Sequence, residues 1–468
     1  MSKLYKGKIV NGERIGKGIL YYKDGSIRYE GEFQKDKFNG KGKYIYVNNH
    51  YYVGDFKDGL SHGKGTEYYE DGTIKYEGDF VKDYYEGKGK YIWRNGEYYI
   101  GEFSKGAANG KGKMYYSNDS IKYEGDFANG KYEGNGKYIF ENGNYYIGAF
   151  ADNLRNGKGV LYYKDGKVKY EGQFVNDKYG GEGKYSFNQG NIYEGELKNG
   201  KRTGKGKVFL PDGKLKYEGD FVNDKYEGKG KFYYDNGDYY EGDFVNDMRQ
   251  GEGIVYYKNG KIKYEGHFDE DTYEGHGRFN WENGEYYIGQ WKNICRHGKG
   301  TQYYPNGKVK YEGNWVKDKY DGLGKRIYED GEYYEGQFVN NIAQGKGILY
   351  YKDGKIKYEG DFVNYKFEGY GKYYWENGEY YNGRYKNGHR CGKGIHYYKN
   401  GNILYEGDFV DGEFEGEGKY NYPNGESYVG EWKNGLKHGQ GKVFNKNGKL
   451  KCKGTFVDDQ FTGKCVIF

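Results

Sequence analysis

Along the whole chain, short runs of alternating aromatic and polar residues are separated by glycine-rich breaks, and the alternation has the period of a β-strand. Between residues 76 and 93, Tyr76, Gly78 and Phe80 share one face of a first strand, and Gly87, Gly89, Tyr91 and Trp93 share one face of a second. Placing Phe80 opposite Gly87 sets Gly78 against Gly89 and Tyr76 against Tyr91. Rings then lie over glycines, which have no side chain to exclude them. The other face carries charge: this register sets Glu77 against Lys90 and Asp79 against Lys88, and across the next boundary Lys88 meets Glu102. Continuing outward, Gly89 meets Gly101 and Gly65 meets Gly78.

The pattern repeats. Tyr-x-Gly-x-Phe/Trp or a close variant starts at Tyr5, Tyr29, Tyr52, Tyr76, Tyr99, Tyr123 and onward to Tyr428 and Cys452, with spacings that alternate between 24 and 23 residues. The true unit is a 47-residue pair of two subtypes, and twenty units fill residues 1–468 with no additional domain. In the shorter subtype Arg94-Asn95-Gly96 suits a three-residue loop, and in the longer one Asp71-Gly72 suits a two-residue type I′ turn. The expected fold is all-β: an elongated, single-layer antiparallel β-meander of about twenty hairpins, spanning about 190 Å at the usual strand spacing.

Composition sharpens this picture. With 85 glycines and 31% charged residues the chain would pass for disordered, but 64 tyrosines and 25 phenylalanines supply apolar area that a disordered chain lacks. Only three prolines interrupt the ladder. A net charge of +6 from 75 basic and 69 acidic residues gives no pull toward nucleic acid. No apolar leader or membrane-length run is present, so a cytoplasmic location is expected. The four cysteines, Cys295, Cys391, Cys452 and Cys465, lack metal-ligand spacing and are expected as thiols. A Cys452–Cys465 neighbour pair in the last hairpin is read as a small-residue end cap.

Units such as YEGDFVNDKYEGKGKFYYDNG, residues 217–237, resemble MORN repeats over the entire chain. Many turns between units read KDGKIKYEG, a departure that resembles bacterial YwqK-type repeats. The MORN resemblance implies a non-catalytic array like those of ciliary radial-spoke heads, cytoskeletal scaffolds and junctophilins, or the repeats attached to plant phosphatidylinositol phosphate kinases. It implies no cofactor. The expected function is a protein–protein interaction platform in a cytoskeletal or ciliary (axonemal) assembly, with other proteins or further copies of itself as partners. The alternative is a peripheral membrane module with weak contact to anionic phospholipids.

Strings such as Gly63-Lys64-Gly65 lack the following helix that a phosphate loop needs, and the carboxylates repeat along a solvated face instead of forming one desolvated site, so catalysis is not expected. His62, His297 and His438 are too far apart in the array to share a metal. The tryptophans occupy repeat positions, Trp93, Trp281 and Trp375 at the seventeenth residue after a unit start and Trp291, Trp315 and Trp432 at the fourth. With Tyr76 and Phe80 they belong to the aromatic face, whose role is mainly structural but which a partner peptide could enter. At the ninth residue the longer subtype carries Arg14, Arg155, Arg202, Arg249, Arg296, Arg390 and Lys437, while the shorter carries an aromatic, as in Phe38, Tyr85 and Tyr132. These positions read as loop tips along one edge. They either pair with one another or form a partner-binding edge.

Overall fold

The computed structural model describes residues 4–462, and its contacts divide the chain into two compact units, Met1–Phe232 and Tyr233–Phe468. Each unit is an open, single-layer antiparallel meander in which every strand pairs with its neighbours in sequence. Among the described residues there are forty strands, from Tyr5–Val10 to Gln460–Phe461, and no helix long and apolar enough to cross a membrane. The fold is the all-β meander of hairpins that the alternation implies. Cys465 lies outside the described residues, and with it the end-cap pairing with Cys452. Cys295 and Cys391 are free thiols.

The central register is as read from sequence: Tyr76 faces Tyr91, Glu77 faces Lys90 and Gly78 faces Gly89. The boundary registers agree as well, with Gly65 opposite Gly78, Gly89 opposite Gly101 and Lys88 opposite Glu102. Toward the hairpin tip the expectation fails. Phe80 lies opposite Tyr85 and Asp79 opposite Glu86, because Gly87 and Lys88 are inserted as a bulge. Gly87 sits at φ +65°, and the backbone N–H of Lys88 donates to the Asp79 carboxylate at 3.3 Å. The two glycines of GKG therefore serve different ends: Gly87 provides the left-handed backbone, and Gly89 leaves room for a ring. Asp79 finds its lysine across the boundary instead, in Lys64 at 2.5 Å.

The turns also differ from expectation. Asp71-Gly72 is not a two-residue turn. Tyr69 and Thr73 close a three-residue loop, with the Tyr69 N–H donating to the Thr73 carbonyl at 2.8 Å and Gly72 at φ +83°, and Trp93 and Glu97 close the same loop in the shorter subtype. The two-residue type I′ turns lie at the other end of the hairpins, as at Lys82-Asp83, where φ is +49° and +66°. The extra residue of the longer subtype is Lys75, a bulge between the pairs Tyr68–Ile74 and Glu67–Tyr76. The alternation of 24 and 23 is thus an alternation of bulged and unbulged boundaries.

A single layer builds a core by laying rings along its own surface. Tyr76 reaches over Gly78 and Gly89, donates its hydroxyl to the Asp79 carbonyl at 3.0 Å, stacks on Tyr85 at 3.9 Å and meets Phe80 and Phe103 edge-on at 5.1 and 5.0 Å. It is fully buried. The unit-start tyrosines are buried in the same way from Tyr29 to Tyr428, and in the shorter subtype a ninth-position ring packs on them as Tyr85 does on Tyr76, so the aromatic row is a repeated cluster. The ninth-position aromatics are part of it: Tyr85 belongs to the strand Tyr84–Ile92, beyond the tip, and its ring is core. The opposite face carries exposed ion pairs such as Lys41–Asp55, Lys113–Glu124, Lys205–Asp220 and Lys393–Asp408, each of which contributes little by itself.

Candidate functional site

The ninth-position basic residues lie one or two residues into the second strand of their hairpins, and the side chains fold back along the aromatic face. Arg155 is representative. Its Nε donates to the Asp177 carboxylate at 2.9 Å, a terminal nitrogen donates to the Asp177 carbonyl at 2.8 Å, and its backbone N–H donates to the same carboxylate at 3.0 Å. The guanidinium lies 5.5 Å from the Phe140 ring, 5.8 Å from Tyr146 and 5.1 Å from Phe174. Arg14 with Asp36, Arg202 with Asp224, Arg249 with Asp271 and Arg296 with Asp318 repeat the arrangement, and Lys437 with Asp459 does so less completely. Arg390 lacks an acid. It donates to the Gly412 carbonyl and lies 5.5 Å from Trp375, 5.6 Å from Tyr381 and 5.1 Å from Phe409. Each of these cations is a strut between neighbouring hairpins.

Three of the ten longer repeats carry no cation there. At Ser61 the hydroxyl binds Asp83 at 2.8 Å, and the buried Glu67 accepts from Tyr85 at 2.6 Å and from Lys75 at 3.0 Å. Burial, and then the Glu67 charge, hold the Tyr85 phenol far above its ordinary pKa. At Ala343 a guanidinium arrives from elsewhere: Arg326 donates to the Tyr365 hydroxyl at 2.7 Å and lies 5.1 Å from Tyr328. At Ala108 the acid is missing too, Gly130 standing where Asp177 stands one pair later. Here a groove of about 850 Å³ opens among Trp93, Tyr99, Phe127 and their neighbours.

The tryptophans divide by position. Trp291, Trp315 and Trp432 are buried, and their indole N–H groups donate to the carbonyls of Gly277, Gly300 and Gly418 at 3.2, 3.0 and 3.3 Å. Trp281 and Trp375 are half-buried beneath Arg296 and Arg390. Trp93 is 39% exposed. Among the described residues no three His, Cys, Asp or Glu side chains converge as a metal site.

Two sets of partners escaped the sequence reading. The turn aspartates lie 22 residues beyond their arginines, a constant offset that could have revealed them. The bulge lysines reach 25 residues back to an acid, as Lys122 does to Glu97 at 2.6 Å and Lys310 to Glu285 at 2.6 Å.

Eighteen segments match the profile of the MORN repeat, from 5–27, 29–51 and 52–74 through 264–286 and again from 311–333 through 428–449, and residues 296–317 match a MORN repeat variant. No curated protein matches the chain. Among solved structures, the TCP10 domain of Danio rerio CPAP is similar at 13% identity, over 54% of this chain and 95% of that one, with a TM-score of 0.16. The computationally designed Ika8 protein is similar at 12% identity, over 78% and 95%, with a TM-score of 0.13. A protein of unknown function from Bacteroides caccae is similar at 11%, over 55% and 91%, with a TM-score of 0.12. Such scores carry no argument about function.

Proposed function

The chain belongs to the MORN-repeat family, a repeat-based protein-interaction or membrane-binding module, and from that premise we propose that it is a non-catalytic scaffold for other proteins in a cytoplasmic, cytoskeletal or ciliary assembly. The observation that carries this reading is the charge arrangement of the exposed face. Its lysines stand beside acids at repeat after repeat, as in Lys41–Asp55, Lys64–Asp79, Lys113–Glu124, Lys184–Glu194 and Lys325–Glu335. A surface of interleaved sign recruits a partner of complementary pattern through many weak contacts, whereas an anionic membrane calls for an uninterrupted basic patch.

The test is liposome flotation of the full chain at physiological salt, with and without phosphoinositide, beside purification of the tagged chain from its own cells. Stoichiometric protein partners with no flotation support the scaffold. Strong recovery with phosphoinositide vesicles overturns it in favour of the membrane module.

A further inference from the structure

The groove at Ala108 has a counterpart within the same chain. Trp93, Tyr99, Ala108, Phe127 and Gly130 lie 282 residues, six 47-residue pairs, before Trp375, Tyr381, Arg390, Phe409 and Gly412. The second set is an occupied site: the Arg390 guanidinium is held by the three rings and by the Gly412 carbonyl. The backbone frame is the same, since the Gly130 N–H donates to the Ala108 carbonyl at 2.9 Å as the Gly412 N–H donates to the Arg390 carbonyl at 3.0 Å. The first set therefore has every part of the site except the arginine. Gly106, Ala107 and Ala108 bring nothing larger than a methyl group to it, and Trp93 is left exposed where Trp375 is covered.

Among the described residues the other longer repeats each bring a charged or polar group of the chain to this position or beside it. Seven use their own cation, Ser61 has the Glu67–Tyr85 pair beside it, and Ala343 has Arg326. At Ala108, among the described residues, no cation lies over Trp93, Tyr99 or Phe127. The cations that border the groove are already matched, Lys122 by Glu97 at 2.6 Å, Lys75 by Glu67 at 3.0 Å and Arg155 by Asp177 at 2.9 Å, so a further guanidinium meets rings and a carbonyl and not an unbalanced charge. At about 850 Å³ the groove has room for an arginine and the residues flanking it.

We propose that this cage receives an arginine side chain from a partner polypeptide, which takes the position that Arg390 holds in its own repeat. This names the chemistry of the partner and rests on the scaffold reading. A guanidinium suits the site better than an ammonium because its planar face can stack on the tryptophan while its edge donates to the carbonyl.

The experiment uses the full chain and pools of short peptides with randomised flanks around a central arginine, lysine or citrulline, with binding read by fluorescence anisotropy. The arginine pool should yield binders at least tenfold tighter than either control. Ala108→Arg, which fills the cage from within, should abolish that binding and raise the melting temperature. Trp93→Leu, which removes one wall at an exposed position, should weaken binding at least tenfold. No arginine selectivity, binding that survives both substitutions, or a lowered melting temperature for Ala108→Arg would overturn the proposal. If the peptides fail while the chain still recruits protein partners from its cells, this inference falls and the scaffold stands.

Discussion

Gly78→Ala is the smallest change that attacks the way this single layer makes a core. A Cβ at residue 78 would sit 2.5 Å from the Tyr76 hydroxyl oxygen, 2.7 Å from the Gly89 Cα and 2.7 Å from the Lys88 carbonyl oxygen. The ring must lift or the strands must part. Lifting it gives up the hydroxyl bond to Asp79 at 3.0 Å, about 1 kcal/mol, and disturbs the stacking on Tyr85 and the edge contacts to Phe80 and Phe103. Overpacking of this kind costs about 1–3 kcal/mol, against about 0.4–1 kcal/mol gained from the stiffer unfolded chain. With the lost hydroxyl bond added, the net loss is about 2 kcal/mol, confined to the hairpins around residue 78 because repeats are coupled mainly to their neighbours. Native-state amide exchange should therefore quicken about 30-fold across residues 74–103 and remain unchanged near residue 360. Adding Tyr76→Phe removes the hydroxyl contact but leaves the approach of Gly89, so the double variant should recover only part of the loss. Unchanged protection around residue 78 would refute the account of rings lying on glycine.

Replacing Arg155, Arg202, Arg249 and Arg296 by alanine together should lower the melting temperature, because each is a strut worth about 1–2 kcal/mol, and exchange should quicken along residues 146–318; unaltered stability would show that these cations are idle. The buried unit-start tyrosines resist ionisation: burial pushes Tyr99, Tyr146, Tyr170 and Tyr334 up to about 12 from 10.0. The folded chain keeps protons that the unfolded chain releases, so stability holds below pH 10 and falls as the pH rises toward 12, and tyrosinate absorbance at 295 nm should rise in step with unfolding. Independent titration of these residues in a folded chain would contradict this. His396 is buried, and burial followed by the nearby Arg390 holds its pKa below 6.5, so stability should drop as the pH falls through about 6.5. His396→Val, matching Val208, Val255 and Val443 at the same repeat position, should flatten that dependence in a series of melting curves; an identical pH profile would exclude His396 as its source.

Tyr76, Gly78, Gly89 and Tyr91 could be registered from sequence because a ring and a residue without a side chain are complementary in only one alignment. Asp71-Gly72 misled because the pair fits either a two-residue turn or the end of a three-residue loop, and the surplus residue is absorbed by a bulge at Lys75 that no turn residue announces. Likewise Gly87 serves by its left-handed backbone, which alternation cannot distinguish from a face-sharing glycine. The basic row was visible by its period, but its acids were not, since Asp177 belongs to a turn of the next subtype. Ala108 was least visible of all, a gap in the row whose meaning depends on what surrounds it.

The ties between the two subtypes constrain how such a gene can change length. Arg155 reaches an aspartate 22 residues ahead and Lys122 reaches a glutamate 25 residues behind, each tie running from one subtype to the other. Deleting one 23-residue unit would abut two longer units, and an arginine would then meet a glycine or asparagine turn, such as those at Gly200 and Asn153, in place of Asp177. Unequal recombination in steps of 47 codons keeps the two subtypes alternating and so keeps both offsets. The array can therefore lengthen or shorten by whole pairs over evolutionary time, as a ruler whose smallest division is two hairpins.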